Sequence, residues 1–389
     1  MFKYVSNKND KRVVYLKYLR RAWAEISKSA VLNNLSEIKK NTKNSMLCCA
    51  VKANCYGHGV DVLAPVFEQN GVSFFAVSNI EEAIKLRTLN IKAGILILGY
   101  TPPEFAKELQ EYEISQSVYS LEYARSLSHS AVETGVTIKV HIKLDTGMGR
   151  IGFDLRENEL SGIDEAILAA KQKNLFTEGV FTHFAVSDSE SPEDTEFTKA
   201  QFDRFDKGVK LLSADGIIPE LVHCNNSAAI CLNEYMMNMV RPGIILYGLK
   251  PNISFNTRLN LIPVMTLKSV VSFVKTVKRG TSIGYGRTYT AKDTMKIATV
   301  AIGYADGYPR ALSNKGEVLI HGKRAKVVGN ICMDQLMVDV TGIEDVKTGD
   351  EVILWGKDLP LDNIAKTCGT ISYEIGCNVS PRVPRLLTD

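Results

Sequence analysis

The segment "LCCAVKANCYGHG", residues 47–59, decides how this chain is interpreted. Its apolar run at 47–51 ends at a single lysine, Lys52, and a turn-forming stretch with Gly57 and Gly59 follows. The next segment, "VDVLAPVFEQNG" at 60–71, has the apolar spacing of a helix that ends at Gly71. A strand followed directly by a helix is typical of a βαβ unit, so the segment predicts a parallel sheet with Lys52 at the carboxyl end of one strand.

The same alternation continues through the first two-thirds of the chain. Strand-like runs occur at 47–51, 73–77, 94–99, 115–120, 137–144, 178–185, 221–226 and 241–248, and several are separated by helical patterns. Eight strands in about 230 residues match the size of a (β/α)8 barrel of the TIM type. A doubly wound open sheet remains an alternative, because a count of strands does not show that the sheet closes.

The pattern changes after residue 258. Long β-branched runs such as 264–277 and 295–308 replace the alternation, and only "LPLDNIAKTCG", 359–369, has the spacing of a helix. We therefore predict an α/β protein in three parts: a basic N-terminal leader at 1–20, a (β/α)8 barrel at 21–258, and a mostly antiparallel β domain at 259–389.

Charge and composition exclude several classes of protein. The net charge is +4, but residues 1–21 hold seven basic residues against one acidic residue, or +6, so the remaining residues sum to −2. A nucleic-acid-binding body is therefore not expected, and the leader is interpreted as a solvated arm. No apolar run is long enough for a membrane helix and no secretory signal is visible. We expect a cytoplasmic protein whose eight cysteines are reduced thiols, with no metal site and no membrane partner.

Polar residues occupy the ends of several predicted strands, where barrels carry their catalytic groups. A desolvated lysine at such an end can attack a carbonyl and form a Schiff base, which makes Lys52 a candidate. The other candidates are Lys143 and His183 at strand ends, Arg150 on a glycine-rich loop, Asn226 and Ser227 before a helix, and Arg241, Gly243 and Ile244 in the eighth run. A lysine nucleophile, a phosphate cradle and an arginine for a carboxylate together indicate pyridoxal phosphate and an amino acid.

Eight motifs in order make the chain resemble the alanine racemases, pyridoxal-phosphate enzymes of fold type III. They are "AVKANCYGHG", "KLDTGMGRIGF", "THFA", "NNSAA", "NMVRPGIILYG", "IGYADG", "GNICMDQ" and "ISYE". The resemblance runs from Arg21 to "RVPR" at 382–385 and leaves out residues 1–20. It implies an isomerase that interconverts L-alanine and D-alanine and supplies D-alanine for peptidoglycan.

The resemblance also implies a role for each matching residue. Lys52 would hold the cofactor covalently and act as one base, and Tyr285 would be the other base. Arg241 would face the pyridine nitrogen, with His183 beside the ring. The phosphate group would be bound by Tyr56, Ser227, Gly243, Ile244 and Tyr373, with Asn226 adjoining them. The substrate carboxylate would be bound by Arg150 and the backbone amide of Met333, and Lys143 matches a lysine that is carbamylated in many members.

A homodimer with shared active sites is a further implication, because the family residues that match Tyr285 and Met333 reach the neighbouring subunit's barrel.

Two related enzymes remain as alternatives to an alanine racemase. One is a serine racemase of the same family. The other is a fold-type III amino-acid decarboxylase. Those enzymes are expected to bind the phosphate with a glycine triplet, and this chain contains no "GGG". A pyridoxal-phosphate carrier without enzymatic activity is disfavoured by the predicted β domain.

Overall fold

The computed structural model describes residues 21–156 and 162–389, so the predicted leader lies outside the described residues. These residues form two compact units. One unit is Ser29–Ile262; the other combines residues 21–28 with Pro263–Asp389. The first strand, β1 (Ala22–Ser27), belongs to the second unit.

The unit Ser29–Ile262 is built on parallel strands that pair in sequence order. Their bounds are β2 Met46–Ala50, β3 Phe74–Val77, β4 Gly94–Ile97, β5 Ile114–Val118, β6 Ile138–Asp145, β8 Leu175–Phe181, β9 Leu221–His223 and β10 Met239–Val240, with the two-residue β7, Phe153–Asp154, beside β6. The last strand returns to the first, because β10 pairs with β2 in parallel. The amide of Arg241, directly after β10, also donates a 3.0 Å hydrogen bond to the carbonyl of Asn225, just beyond β9. The ring closes, so the predicted (β/α)8 barrel is confirmed and the open sheet is not adopted.

Helices connect the barrel strands. They span Lys28–Thr42, Val60–Gln69, Ile80–Thr88, Ala106–Glu111, Leu121–Thr134, Ile163–Ala170, Pro192–Ala214 and Ser227–Leu232. In the first of these, Val31, Leu35 and Ile38 are buried on one face, as their spacing predicts. Several helices begin with a side-chain cap; Asn79, for example, accepts a hydrogen bond from the amide of Glu82. Among the described residues, no helix is both long and apolar enough to cross a bilayer.

The second unit is an antiparallel barrel with two strands added at its side. Its strands are β11 Met265–Val277, β14 Met295–Val300, β15 Glu317–Ile320, β16 Lys323–Val327, β17 Leu336–Asp339 and β18 Glu351–Trp355. The long strand β11 pairs with both β18 and β14, which closes the ring of six. Strand β1 pairs with β11, and β19, Arg385–Thr388, pairs with β1. A short hairpin, β12 Ser282–Ile283 with β13 Tyr289–Thr290, stands apart from this sheet.

The structure differs from the prediction in three places. The barrel unit begins at Ser29 rather than at residue 21, because β1 finds its hydrogen-bond partners in β11 and β19, and it continues to Ile262. The eighth barrel strand is β10 at Met239–Val240, whereas half of the predicted run at 241–248 forms the 3-10 helix Ile244–Tyr247. The β unit contains a second helix, Ser372–Cys377, besides the expected one at Leu361–Cys368.

Candidate active site

Lys52 follows β2 at the carboxyl end of the barrel and begins a turn, 52–56, of unusual handedness. Residues 53–56 have φ angles between 50° and 56°, the left-handed region, although none of them is glycine. Left-handed backbone costs L-residues about 1–2 kcal/mol each, so this turn stores strain directly after the lysine. Strain of this kind persists where the surrounding structure holds it, which is common at functional sites.

Side chains from the barrel hold this turn in place. The carboxylate of Glu82 accepts hydrogen bonds from the amide of Ala53 at 2.7 Å and from the amide of Ser78 at 2.8 Å. The side-chain oxygen of Asn54 accepts from the amide of Val60 at 2.7 Å. These bonds fix the backbone on both sides of the turn, so Lys52 projects from a defined position although it is only half-buried.

His58, in the loop that follows, has a structural role. Its ring is buried, stacks on Tyr247 with centroids 4.5 Å apart, and places Nδ1 3.0 Å from the carbonyl of Tyr56. The hydroxyl of Tyr247 donates to the carbonyl of Ala50 at 2.9 Å. The loop is therefore tied to the end of β2.

A small cradle lies beside this turn. The amide of Ala50 donates to the carbonyl of Pro242 at 2.8 Å, which brings the end of β2 next to Gly243. A Cβ atom added to Gly243 would lie only 2.9 Å from the hydroxyl oxygen of Tyr56. The Gly243 amide donates to Oγ of Ser227 at 3.0 Å. The Tyr56 hydroxyl and Oγ of Ser227 therefore both lie beside the backbone of Gly243. A residue with a side chain at position 243 would collide with the Tyr56 hydroxyl.

Asn226 stands at the edge of the cradle and caps the helix Ser227–Leu232. Its side-chain oxygen accepts from the amide of Ala229 at 3.1 Å and from the hydroxyl of Ser187 at 3.0 Å. The helix has only six residues, so the cradle depends on specific side chains and amides more than on a helix dipole.

Arg241 is a buried guanidinium inside the barrel mouth. Nη1 donates to Nδ1 of His223 at 2.7 Å and to the carbonyl of His223 at 3.0 Å. Nη2 donates to the carbonyls of Thr182 and Cys224 at 2.7 and 3.2 Å, and lies 3.4 Å from Nδ1 of His183. Burial lowers the pKa of Arg241 to about 10, so the group keeps its charge at neutral pH.

Lys143 lies close to this arginine. Its Nζ is 5.4 Å from the centroid of the Phe181 ring, and Cζ of Arg241 is also 5.4 Å from that centroid. Burial, together with the charges of Arg241 and Arg150, lowers the pKa of Lys143 to about 7. The lowered pKa makes the uncharged form of the Lys143 amine accessible near neutral pH. The pKa of His183 is also lowered well below its usual value, by desolvation and by the cations Arg241, Lys143, Arg150 and Lys52.

Arg150 is exposed on the loop after β6. The carboxylate of Asp145, the last residue of β6, accepts from the amides of Gly147 at 3.0 Å and Gly149 at 2.9 Å. Asp145 therefore bends the glycine-rich loop back toward the end of β6 and fixes the backbone directly before Arg150.

Three predicted residues lie in the β unit. Tyr285 follows β12 at the tip of the short hairpin; its side chain is 73% exposed, and its carbonyl accepts from the side-chain amide of Asn330 at 2.8 Å. Met333 is also exposed, in the loop before β17. Tyr373 lies in the helix Ser372–Cys377 and is half-buried.

Two family models match this architecture unit by unit. The model "Alanine racemase, N-terminal domain" matches residues 26–251, and "Alanine racemase, C-terminal domain" matches residues 264–387. The alanine racemase of Clostridium perfringens strain SM101 is 45% identical over 374 residues, which cover 95% of each chain. This chain belongs to the alanine racemase family. It is accordingly an isomerase, the class to which alanine racemases belong.

Solved alanine racemases share the fold. The Clostridium difficile 630 enzyme in complex with cycloserine has a TM-score of 0.87 at 39% identity, covering 95% of this chain and 96% of that one. The Bacillus anthracis enzyme with bound L-Ala-P has a TM-score of 0.87 at 35% identity, covering 95% of each chain.

In this alanine racemase the predicted site residues of the barrel unit collect at its carboxyl end. The loop after β2 carries Lys52 and Tyr56, the loop after β6 carries Arg150, and the region around β10 supplies Arg241, Gly243 and Ile244. One detail differs: β8 ends at Phe181, so His183 lies in the loop beyond the strand.

Sequence reasoning missed several residues that organise the site. Glu82, Asp145 and His223 were not singled out, because each acts by holding another residue. Glu178 was missed as well, although a charged residue next to glycine in the apolar run "EGVFTHFA" was a visible signal.

Proposed function

We propose that this alanine racemase binds pyridoxal phosphate and interconverts L-alanine and D-alanine with two bases, Lys52 and Tyr285, supplying D-alanine for peptidoglycan. The observation that carries the proposal is the grouping of an accessible lysine, a glycine-serine-tyrosine cradle and a buried guanidinium at one end of the barrel. The alanine-related ligands bound by the two solved relatives support an amino-acid substrate.

The cradle fits a phosphate group. Because Gly243 has no side chain, a phosphate oxygen can approach the backbone beside the Tyr56 hydroxyl. Oγ of Ser227 accepts from the Gly243 amide, so its own hydrogen can be donated to a phosphate oxygen. The Ile244 amide starts a 3-10 helix and has no acceptor within that helix, which leaves it suited to an anion. Tyr373 would complete the set from the β unit.

Arg241 fits the nitrogen of the pyridine ring. Its hydrogen bonds to the described residues all use Nη1 and Nη2, which leaves the N–H on Nε as the donor toward a ligand. When bound, pyridoxal phosphate withdraws electrons from Cα of the amino acid and makes its C–H bond acidic. A guanidinium beside the ring nitrogen disfavours protonation of that nitrogen and limits this withdrawal. Arg241 therefore favours proton exchange at Cα over transamination.

The other residues bind the substrate and move its proton. Arg150 offers a forked donor to the substrate carboxylate, assisted by the backbone amide of Met333. Lys52 would hold the cofactor, and its amine, at the end of β2, would exchange a proton at one face of Cα. Tyr285 serves the opposite face of Cα, so that a proton removed from one face is returned to the other. Two fixed bases make it unnecessary for one base to cross the substrate plane.

An assay with and without cofactor tests this function. The purified enzyme should convert L-alanine to D-alanine, lose that activity when pyridoxal phosphate is removed with hydroxylamine, and regain it when the cofactor is restored. L-serine should react more slowly. Activity that survives complete removal of cofactor would overturn the cofactor assignment. Faster turnover of L-serine would identify a serine racemase, and release of CO2 a decarboxylase.

We also propose that Lys143 is carbamylated. An uncharged amine reacts with CO2 to give a carbamate and a proton, and the lowered pKa of Lys143 supplies uncharged amine at neutral pH. The new carboxylate would offer two oxygens to the guanidinium of Arg150 and so orient it toward the substrate.

Labelling with ¹³C-bicarbonate should therefore give a carbamate signal in the NMR spectrum of the wild-type enzyme. We expect Lys143→Met to remove this signal and to raise KM for alanine by about tenfold, the scale of one lost charge-assisted hydrogen bond. Lys171→Gln, which changes an exposed lysine, should keep the signal and the KM. A signal that survives in Lys143→Met would place the modification on another residue.

A further inference from the structure

Behind Arg241, a line of buried polar side chains crosses the interior of the barrel. Nδ1 of His223 contacts Arg241, and Nε2 of His223 lies 2.9 Å from Nδ1 of His141. Nε2 of His141 lies 3.1 Å from Oε2 of Glu178. The line ends on Ser115, whose hydroxyl donates to Oε2 of Glu178 at 2.5 Å. His141 and His223 have no exposed surface, and Glu178 is 7% exposed.

The barrel makes space for this line. A Cβ atom added to Gly179 would overlap the ring of His141, so the residue paired with His141 across β6 and β8 must be glycine. The pairing of these strands is also irregular between Val140 and His141. The His223 ring stacks on Phe181 with centroids 4.9 Å apart, which fixes its plane. The backbone of β8 at Gly179 thus fixes the position of the His141 ring, and Phe181 fixes that of the His223 ring.

The direction of every hydrogen bond in the line follows from its two ends. A guanidinium can only donate, so Nδ1 of His223 accepts from Arg241. In a neutral imidazole the other nitrogen then carries the proton, and Nε2 of His223 donates to Nδ1 of His141. By the same rule Nε2 of His141 donates to the carboxylate of Glu178. Both histidines are therefore in the Nε2–H tautomer.

The charge states agree with this order. Desolvation lowers the pKa of both His141 and His223, and the charge of Arg241 acts in the same direction. The hydrogen bond to Glu178 and its charge raise the pKa of His141 but leave it below the ordinary value, so both rings are neutral at neutral pH. Burial alone would raise the pKa of Glu178, but hydrogen bonds from His141, Lys139 and Ser115 bring it to about 2. Glu178 is thus an anion that accepts every bond it receives.

We propose that Glu178 is a positioning residue of this alanine racemase, which acts through His141 and His223 to hold the guanidinium of Arg241. The inference rests on the proposed role of Arg241 at the pyridine nitrogen. Glu178 has no part in the reaction itself. By fixing the tautomer of His141, and through it that of His223, it keeps an acceptor turned toward Nη1 of Arg241.

The variant Glu178→Gln tests this idea, because an amide can donate as well as accept. If the amide donates to Nε2 of His141, each tautomer in the line reverses. Nδ1–H of His223 then faces Nη1–H of Arg241, and the two donors repel. We expect kcat for alanine to fall about tenfold, the scale seen when a supporting hydrogen-bond partner is lost, with KM changed less than about twofold.

Tautomers can be read directly by long-range ¹H–¹⁵N NMR on the histidine-labelled holoenzyme, whose chain has six histidines. In the wild type, both His141 and His223 should be Nε2–H. In Glu178→Gln at least one should become Nδ1–H or a mixture, together with the loss in kcat. The control Glu133→Gln removes an exposed glutamate bound to His129 at 3.2 Å and should change neither readout.

The outcomes separate this inference from the proposed function. A wild-type enzyme in which either ring is Nδ1–H or doubly protonated would overturn the inference, even if the variant did not fold. Unchanged tautomers in Glu178→Gln, or changed tautomers with unchanged kcat, would also overturn it. Failure of the wild type to bind pyridoxal phosphate, measured in the same preparation, would instead overturn the proposed function.

Discussion

Replacing Lys52 with alanine is expected to abolish racemisation in both directions. Lys52 is proposed both to hold the cofactor and to exchange the proton at Cα, so the change removes two functions at once. We expect a loss of about 10⁴-fold or more in kcat, the scale reached when a covalent nucleophile is removed. Borohydride reduction of the wild type should attach the cofactor to the peptide that contains Lys52, and the same treatment of Lys52→Ala should attach none.

Lys85→Ala is the matched control for this experiment. Lys85 is a nearby lysine, in the helix Ile80–Thr88, which pairs with Asp61 on the surface. Its replacement should leave both the adduct and the activity unchanged. Methylamine added to Lys52→Ala should restore part of the activity, because a small amine can occupy the space of the missing side chain. A reduced lysyl adduct that persists in Lys52→Ala would show that another lysine holds the cofactor.

Replacing Tyr285 with phenylalanine is the change with the second largest expected effect. The variant loses one hydroxyl from an exposed side chain, so the fold should be retained. We expect a loss of about 10²–10⁴-fold, the usual contribution of a general base. Exchange of the α-hydrogen in a single turnover should be impaired more for L-alanine than for D-alanine, because Tyr285 serves only one face.

Tyr289→Phe provides the control on the same hairpin. The Tyr289 hydroxyl lies 3.6 Å from the sulfur of Met295 inside the β unit, away from any proposed chemistry. This variant should keep normal exchange with both enantiomers. Equal impairment of L-alanine and D-alanine in Tyr285→Phe would contradict the assignment of one base to each face.

The shared site of the proposed homodimer can be tested by mixing inactive chains. Equal amounts of Lys52→Ala and Tyr285→Phe, allowed to exchange subunits, should recover about a quarter of the normal sites, since half the dimers are mixed and each has one intact site. In an equal mixture of wild type and the double variant Lys52→Ala/Tyr285→Phe, about a quarter of all sites should be active if the bases come from different chains, and about half if they come from one chain. An active fraction of about half of all sites in the second mixture would place both bases on one subunit.

Much of the barrel was predictable because its signals are local. The apolar run before Lys52, the helical spacing after it and the repetition of that pair depend only on residues close together in sequence. The location of Lys52 at a strand end followed from the same pattern. The 3-10 helix at Ile244–Tyr247 was not predictable in this way, since an apolar run such as "IILY" suits a strand equally well until its neighbours are known.

The supporting residues of the site were less accessible to sequence reasoning. Glu82, Asp145 and Glu178 matter through backbone amides or rings that they contact, and these contacts depend on the pairing of strands. The left-handed turn at 53–56 shows the same dependence. Nothing in "ANCY" requires it, and the hydrogen bonds that the side chains of Glu82 and Asn54 accept from backbone amides help to hold it.

The sequence by itself determined the class of this protein, the alternation of strands and helices in its first two-thirds, the family that it resembles, and the candidate residues from Lys52 to Tyr373. Only the tertiary structure decided that the sheet closes, that β1 joins the β unit, and that His141, Glu178 and His223 form one line behind Arg241. The physical reason is the range of the interactions. Periodicity and turns are set by neighbours along the chain, whereas closure and buried hydrogen bonds join residues that folding alone brings together; His141 and His223, for example, are 82 positions apart.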